Sequence, residues 1–255
     1  MDAEEIRTRI GAGRAFITNF SRPVDEDYKT DQELKKPQPP LAKAAMAEQA
    51  IDLPHDFSAL EIDNDFLRVI NSRKSHRVYT DEPITLTQLS FLLWCTQGVK
   101  MGLPKGASKR NVPSAGARHA FETYLFIQNV KGIKPGLYRY LAFEHALLPL
   151  RTAEEMGEAF CACFRAQNMA KNNAVTFVWS AVPERMTYLF GSRAYRYLFL
   201  DAGHVCQNLY LAAQTVKIGV CALGAYEDDK LNEVLGLDGK NEFAIYGATA
   251  GKLQA

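Results

Sequence analysis

The chain has 255 residues, 47% of them hydrophobic and 23% charged, enough for one large domain or two small ones around a substantial core. Thirty Lys and Arg stand against 29 Asp and Glu, a formal net charge of +1, which excludes the basic surplus of a bulk nucleic-acid binder. No run approaches the ~18 apolar residues of a membrane span. The acidic start MDAEEIRTRI lacks the basic and then apolar order of a signal peptide, so a cytoplasmic protein without membrane contact is expected.

In chain order, residues 3–14 predict a short helix. Residues 19–57 are polar and proline-punctuated, which predicts an extended arm lying over a surface, its own or a partner's. We therefore divide the chain into a helix and arm over 1–61 and a compact domain over 62–255. The stretch DFLRVINSR carries Phe66, Leu67, Val69 and Ile70, a one-sided helix that ends in a basic cluster. Thr85 or Thr87 caps a helix through LTQLSFLLWCTQG, with Leu89, Leu92, Leu93 and Thr96 on one face and Gly98 as the stop. FETYLFIQNV predicts a strand, and PGLYRY with HALLPLR a hairpin turning across Leu141–Glu144. Residues 153–166 predict a helix and AVTFVWSAV a buried strand.

The strongest helix is LDAGHVCQNLYLAAQTV. Ala202, Val205, Cys206, Leu209, Ala212, Ala213 and Val216 make one wide apolar face, and Leu200, Tyr210 and Leu211 extend it around the circumference. Such a helix is expected to be buried on several sides, at the centre of the molecule or in a dimer interface. GVCALGAY and FAIYGATAG follow as strands, with the helix DDKLNEVLGL between them. Helices and strands mix without a regular βαβ rhythm, which points to the α+β class.

Chemistry is concentrated at few places. SRKSHR packs Arg73, Lys74 and Arg77 around Ser75 where a helix gives way to a loop. Cations, a hydroxyl and free backbone N–H groups are what a phosphate requires; a solvated helix end, whose cations offset the dipole, has an equal claim. GAGRAF lacks the third glycine of a dinucleotide loop and follows a polar helix where a strand is needed, and no Walker loop exists. NVPSAGARHAFETY places Ser114, Ala115 and Gly116 just before a strand, where backbone can approach a flat ligand; an ordinary loop would look the same. CALGAYEDDKL repeats that pattern at Gly224. The five cysteines are odd in number and lie mostly in apolar runs, as buried free thiols do, and Cys161 with Cys163 makes a poor zinc site. No metal site is expected. His204 shares a helical stripe with Asp201 and Asn208, the setting of a hydrogen-bonded structural histidine.

Taken together and in order, SRKSHRVY, PSAGARHAFETYLF, GLYRY…H.L, SRAYRYLFLDAGHVCQNLYLAA and CALGAYEDDKLNEVLGLDG make the sequence resemble the nitroreductase family of FMN-dependent oxidoreductases. The resemblance spans roughly Ile62 to Lys252. Within the family it lies nearest the branch of thiazole/oxazole (azoline) dehydrogenases and their stand-alone relatives. It implies a nitroreductase-like fold: a mainly antiparallel sheet flanked by helices, dimerising through the long central helix. It also implies an FMN site. Arg73, Ser75 and Lys252 would face the phosphate, and Arg77 the N1/C2 carbonyl side of the ring. Lys74 would contribute backbone or ring contacts. Pro113, Ser114, Ala115 and Gly116 would come from the other subunit, and Leu223 and Gly224 would offer backbone N–H groups beside N5.

The flavin then carries the redox step, with no protein residue catalytic in its own right. NADH or NADPH is the implied donor and a small quinone or nitroaromatic the acceptor, in ping-pong order. Arg118, His119, Tyr188 and Arg193 are candidate substrate contacts. Two rivals stand beside this reading: an azoline dehydrogenase acting on modified peptides with a partner protein, and a flavin-binding protein without catalysis. Azoline dehydrogenases tend to carry a Lys-Tyr pair before the glycine of the loop that leads into RAYRY. Here RMTYLFGSRAYRY places Leu189 and Phe190 at those positions, with Arg185 and Tyr188 nearby.

Overall fold

The computed structural model describes residues 2–19, 28–45, 47–103, 107–164 and 167–254. Seven strands form one sheet in which every neighbouring pair is antiparallel: β1 (Ile51–Asp52), β4 (Phe121–Ile127), β5 (Gly136–Leu141), β6 (Ala146–Thr152), β7 (Val175–Ala181), β8 (Ile218–Leu223) and β9 (Phe243–Lys252). Their order across the sheet is β1-β6-β5-β4-β7-β9-β8. A separate hairpin pairs β2 (Val99–Leu103) with β3 (Ala107–Arg110). The fold is therefore α+β, an antiparallel sheet flanked by helices, as expected.

The sheet is covered on both faces, and strand periodicity assigns each side chain its layer. On β4, Phe121, Leu125 and Ile127 enter one core, while Tyr124 and Phe126 enter the other. The first core takes Leu89, Leu92 and Leu93 of α3 (Leu86–Gln97) and Leu198, Val205 and Leu209 of α6 (Ala194–Thr215). The second takes Phe160 of α4 (Ala153–Ala162) and Leu231 and Leu235 of α7 (Asp228–Leu235). Thr85 caps α3 through a full capping box with Gln88. Gly98 ends that helix beneath Trp94, where an added Cβ would come within 2.5 Å of the indole.

Several expectations shift. The first helix, α1, runs from Ala3 to Asn19, and the arm between 20 and 27 lies outside the described residues. The β5–β6 hairpin turns across Ala142–His145, one residue later than expected. Helix α4 ends at Ala162, and residues 165–166 lie outside the described residues. The stretch expected to be a loop before RAYRY is a helix, α5 (Pro183–Phe190), with proline in its first turn. Helix α6 begins six residues before the expected start, because Ala194 and Leu198 continue its buried face.

The described part of the arm lies on its own chain. Between residues 28 and 45 it crosses α5 and one end of the sheet: Gln32 N–H donates to the Tyr188 carbonyl at 3.0 Å, Arg185 Nε to Pro40 O at 2.8 Å and Lys43 N–H to Glu122 Oε1 at 2.7 Å. Its continuation becomes part of the compact domain before residue 62, since β1 pairs with β6 and Leu53 is buried in the first core. Helix α6 is not enclosed within one chain. Phe199 and Leu200 stand 59% and 54% exposed on its outer flank, and Phe66 and Leu67 of α2 (Phe66–Ser72) 69% and 68%.

Candidate functional site

The basic cluster is built onto the open edge of β8. Asp65 caps α2 by accepting Arg68 N–H, and the helix ends at Arg73, whose N–H donates to Val69 O at 3.0 Å. The chain then runs parallel to β8: Ser75 forms a bridge with Val220, and His76 N–H donates to Val220 O at 2.9 Å. Tyr79 Oη donates to His76 O at 2.7 Å and shares a 2.8 Å hydrogen bond with Thr249 Oγ1. This close approach depends on the cross-strand pair Gly219 and Gly251. A Cβ on Gly219 would fall 2.9 Å from that of His76, and one on Gly251 2.8 Å from the Tyr79 ring. Lys252 ends β9 opposite Ile218, and its carbonyl accepts Thr80 N–H at 2.9 Å.

Arg73, Ser75, Arg77 and Lys252 thus gather around one sheet edge although 179 positions separate the first from the last. The Arg73 guanidinium lies 5.3 Å over the ring of Tyr210, a residue of α6 whose hydroxyl is 2.9 Å from Ser75 Oγ. Arg77 is close enough to Cys221 for its charge to oppose the upward push of burial on that thiol. Among the described residues no carboxylate pairs with Arg73, Lys74, Arg77 or Lys252, whereas Arg68, Lys43, Arg185 and Lys217 each have one. The neighbouring His76 is held below its usual pKa by burial and by Lys74 and Arg73. Leu223 is a buried residue of β8 paired with Gly247, and Gly224 follows at the exposed strand end.

The second predicted group lies elsewhere in the chain. Ser114 leads into a short 3-10 turn over Ala115–Ala117, anchored by Asp201 of α6, which accepts Ala115 N–H at 3.3 Å and a bond from Ser114. Burial raises the pKa of Asp201 against those bonds. Gly116 takes φ 57, and a Cβ there would meet Leu189 at 2.6 Å and Phe190 at 3.0 Å, so the turn is pressed against the end of α5. Pro113 is exposed beside it. Asp201 and Tyr210 are nine residues apart on α6, about 13 Å along the axis. A single chain therefore does not bring the turn onto the basic cluster.

The four candidate substrate contacts separate. Arg118 and His119 are both buried. Arg118 stacks over the Tyr188 ring at 5.9 Å, and burial together with Arg110 pushes His119 down to about 3, keeping it neutral. Tyr188 is half-buried and donates its hydroxyl to Lys36 O at 3.2 Å, while Arg193 is exposed. Arg185 is locked away by a 2.6 Å pair with Glu122. His204 is exposed, whereas Asn208 bonds the carbonyls of Cys95 and Asn111 at 2.9 and 3.2 Å. All five thiols are free, and burial pushes Cys206 up to about 12. Sequence reading missed Tyr210, whose contact with Ser75 joins positions 135 apart and leaves no local signal.

Comparison with known proteins places this geometry. The nitroreductase family model matches residues 70–252, and the chain belongs to that family. A nitroreductase-like protein of Methanocaldococcus jannaschii is 31% identical over 185 residues, 72% of this chain and 88% of that protein. The trifolitoxin-processing protein TfxB of Rhizobium leguminosarum is 26% identical over 204 residues, 77% of this chain but 54% of TfxB. Among solved structures, a nitroreductase-like protein of Ralstonia eutropha superposes with a TM-score of 0.65 at 25% identity, covering 86% of this chain and 95% of that one. Another, from Desulfovibrio desulfuricans and solved with FMN, has a TM-score of 0.54 at 18% identity, covering 76% and 88%. Among the described residues no helix is long and apolar enough to cross a membrane.

Proposed function

We propose that the chain is an FMN-dependent oxidoreductase that takes hydride from NADH or NADPH and delivers it to a small acceptor such as a quinone or nitroaromatic. The observation that carries this reading is a set of four cations, free of carboxylate partners among the described residues, gathered with Ser75 on one sheet edge. Cations left unneutralised at a built edge suit a phosphate, which accepts several charge-assisted bonds at once. Arg73, Ser75 and Lys252 would hold that phosphate, and Arg77 would set a fixed positive charge against the negative charge that develops on the reduced ring. Bound there, the flavin would supply the two-electron chemistry, alternating between donor and acceptor in a ping-pong cycle. Lys74 is exposed and would contribute through its backbone, as would Leu223 and Gly224 at the end of β8. Pro113 to Gly116 would reach the flavin of a second subunit, since the single chain keeps the two groups apart.

The test is flavin retention. The wild type should purify yellow with about one FMN per subunit. Replacing Arg73 and Arg77 together by Ala removes two charge-assisted contacts and should weaken binding by a factor on the order of hundreds. Full occupancy in a folded double variant would refute the assignment. NAD(P)H oxidation with a quinone then separates an enzyme from a mere flavin carrier.

A second reading is azoline oxidation in a modified peptide; the likeness to TfxB, a trifolitoxin-processing protein, supports a peptide substrate. That reaction needs a base for the proton that leaves as hydride is removed. Leu189 and Phe190 cannot transfer one, and Arg185 is engaged with Glu122. Azoline peptides are therefore expected to be poor substrates. Their rapid oxidation by the isolated protein, lost in Tyr188→Phe, would favour the azoline reading.

A further inference from the structure

We propose that Tyr210 is a positioning residue for anion binding: its hydroxyl turns the Ser75 hydroxyl outward as a donor to phosphate. The inference rests on the FMN reading above. The order of protons follows from the partners. Ala222 N–H points away from β9, and on an edge strand it would lack a partner; it donates to Tyr210 Oη at 2.8 Å. Oη thus has one lone pair occupied and a hydrogen of its own to place. Ser75 Oγ, 2.9 Å away, is the acceptor within reach. With the phenol donating, the hydrogen of Ser75 is released from that contact and can turn to an incoming anion. In the reverse arrangement Oη would accept twice and its hydrogen would have no partner among the described residues, a costly outcome for a half-buried hydroxyl. Ser75 itself is exposed, so its freed hydrogen faces the side from which a ligand arrives.

The same ring does a second job. Arg73 lies 5.3 Å over its face, which holds the guanidinium beside Ser75 through the ring quadrupole. Tyr210 therefore ties together three pieces of the site from the core side: the end of α2, the Ser75 bridge and the strand β8. Tyr210→Phe separates the two jobs, because it keeps the ring and removes the hydroxyl.

The experiment titrates flavin-free protein with FMN and, separately, with riboflavin, which has the same ring and no phosphate. Wild type, Tyr210→Phe, Ser75→Ala and the double variant are compared, with unfolding midpoints recorded for each. Tyr210→Phe should weaken FMN about five- to tenfold, the scale of one lost hydrogen bond, and leave riboflavin unchanged. Ser75→Ala should show the same FMN-selective loss, and adding Tyr210→Phe to it should change nothing more. Equal losses for FMN and riboflavin, additive losses in the double variant, or unchanged FMN affinity in either single variant would overturn the proposal. Ser75 is exposed, so its alanine variant reports even if the tyrosine variant does not fold. A wild type that binds FMN and riboflavin alike would instead overturn the phosphate assignment itself, and the role of Tyr210 with it.

Discussion

His145 shows how a buried imidazole is fixed in one protonation state. Ser90 Oγ donates to Pro54 O at 2.6 Å, so it accepts from His145 Nε2 at 2.7 Å, and Tyr140 Oη donates to Nδ1 at 2.7 Å. Burial, with His55 beside it, pushes His145 down to about 4, as burial pushes His119 down to about 3. Both pKa values lie below the usual 6.5, so the unfolded chain binds more protons than the folded one across the interval between. Stability from these two groups is therefore complete above about 6.5 and falls as pH drops toward 4. Urea midpoints measured from pH 7 to pH 4.5 should decline, with a shallower slope in His119→Gln. Imidazole NMR signals of both residues should show no titration between pH 5.5 and 8. At this scale Arg73, Lys74, Ser75 and Arg77 were legible as a cluster because they are close in sequence, whereas Lys252, 175 positions beyond Arg77, came from the family resemblance. The burial of His119 was not, since its cause is packing against residues from other segments.

Among the elements, α5 and the arm were the least legible. The sequence PERMTYLF has no clean apolar stripe, because one of its buried positions is Arg185. What makes that arginine tolerable is Glu122, 63 positions away on β4, and the carbonyl of Pro40 in the arm. Removing one partner of a buried ion pair leaves an uncompensated charge, so Arg185→Met should cost about 3–5 kcal/mol. Glu122→Gln with Arg185→Met together should recover much of it, as a thermal or urea unfolding cycle would report. Because Leu189 and Phe190 press on Gly116, loosening α5 should also disturb the Ser114 turn. By contrast α3, β4, β7 and α6 were legible at once. Their periodicity is strong and each buries a block of apolar side chains, although Gln88, Glu122, Ser180 and Asp201 are buried among them.

For the whole molecule, the outstanding feature is apolar surface that one chain leaves uncovered. Phe66, Leu67, Phe199, Leu200 and Val78, the last 82% exposed, lie on α2, α6 and the segment beside the basic cluster. Such surface marks an interface. We expect a homodimer in which this surface is buried and the Ser114 turn of one subunit reaches the basic cluster of the other. Sedimentation should find a dimer at micromolar concentration. Phe199→Glu with Leu200→Glu should yield monomers that lose FMN although Arg73 and Arg77 are intact; a monomer that still holds one FMN would contradict the shared site. The greasy circumference of α6 announced this possibility in sequence. The expected partition of the site between two chains came from the family resemblance alone, since spacing along one chain cannot say which copy a residue serves.

The strand order carries a consequence for how the protein is made. β8 is joined to the sheet through β9, the strand that follows it in the chain, and β9 in turn needs β7 already in place. The cluster edge therefore joins the rest of the sheet only once β9 has paired with β7, across the 61 residues that lie between Ala181 and Phe243. Long-range pairing of this kind is slow relative to local hairpins. A folding chain should pass through a stage with a formed central sheet and no competent cofactor edge. Flavin present at that moment would act as a ligand of the final state alone, drawing β8 and β9 into register and shortening the exposure of their apolar faces.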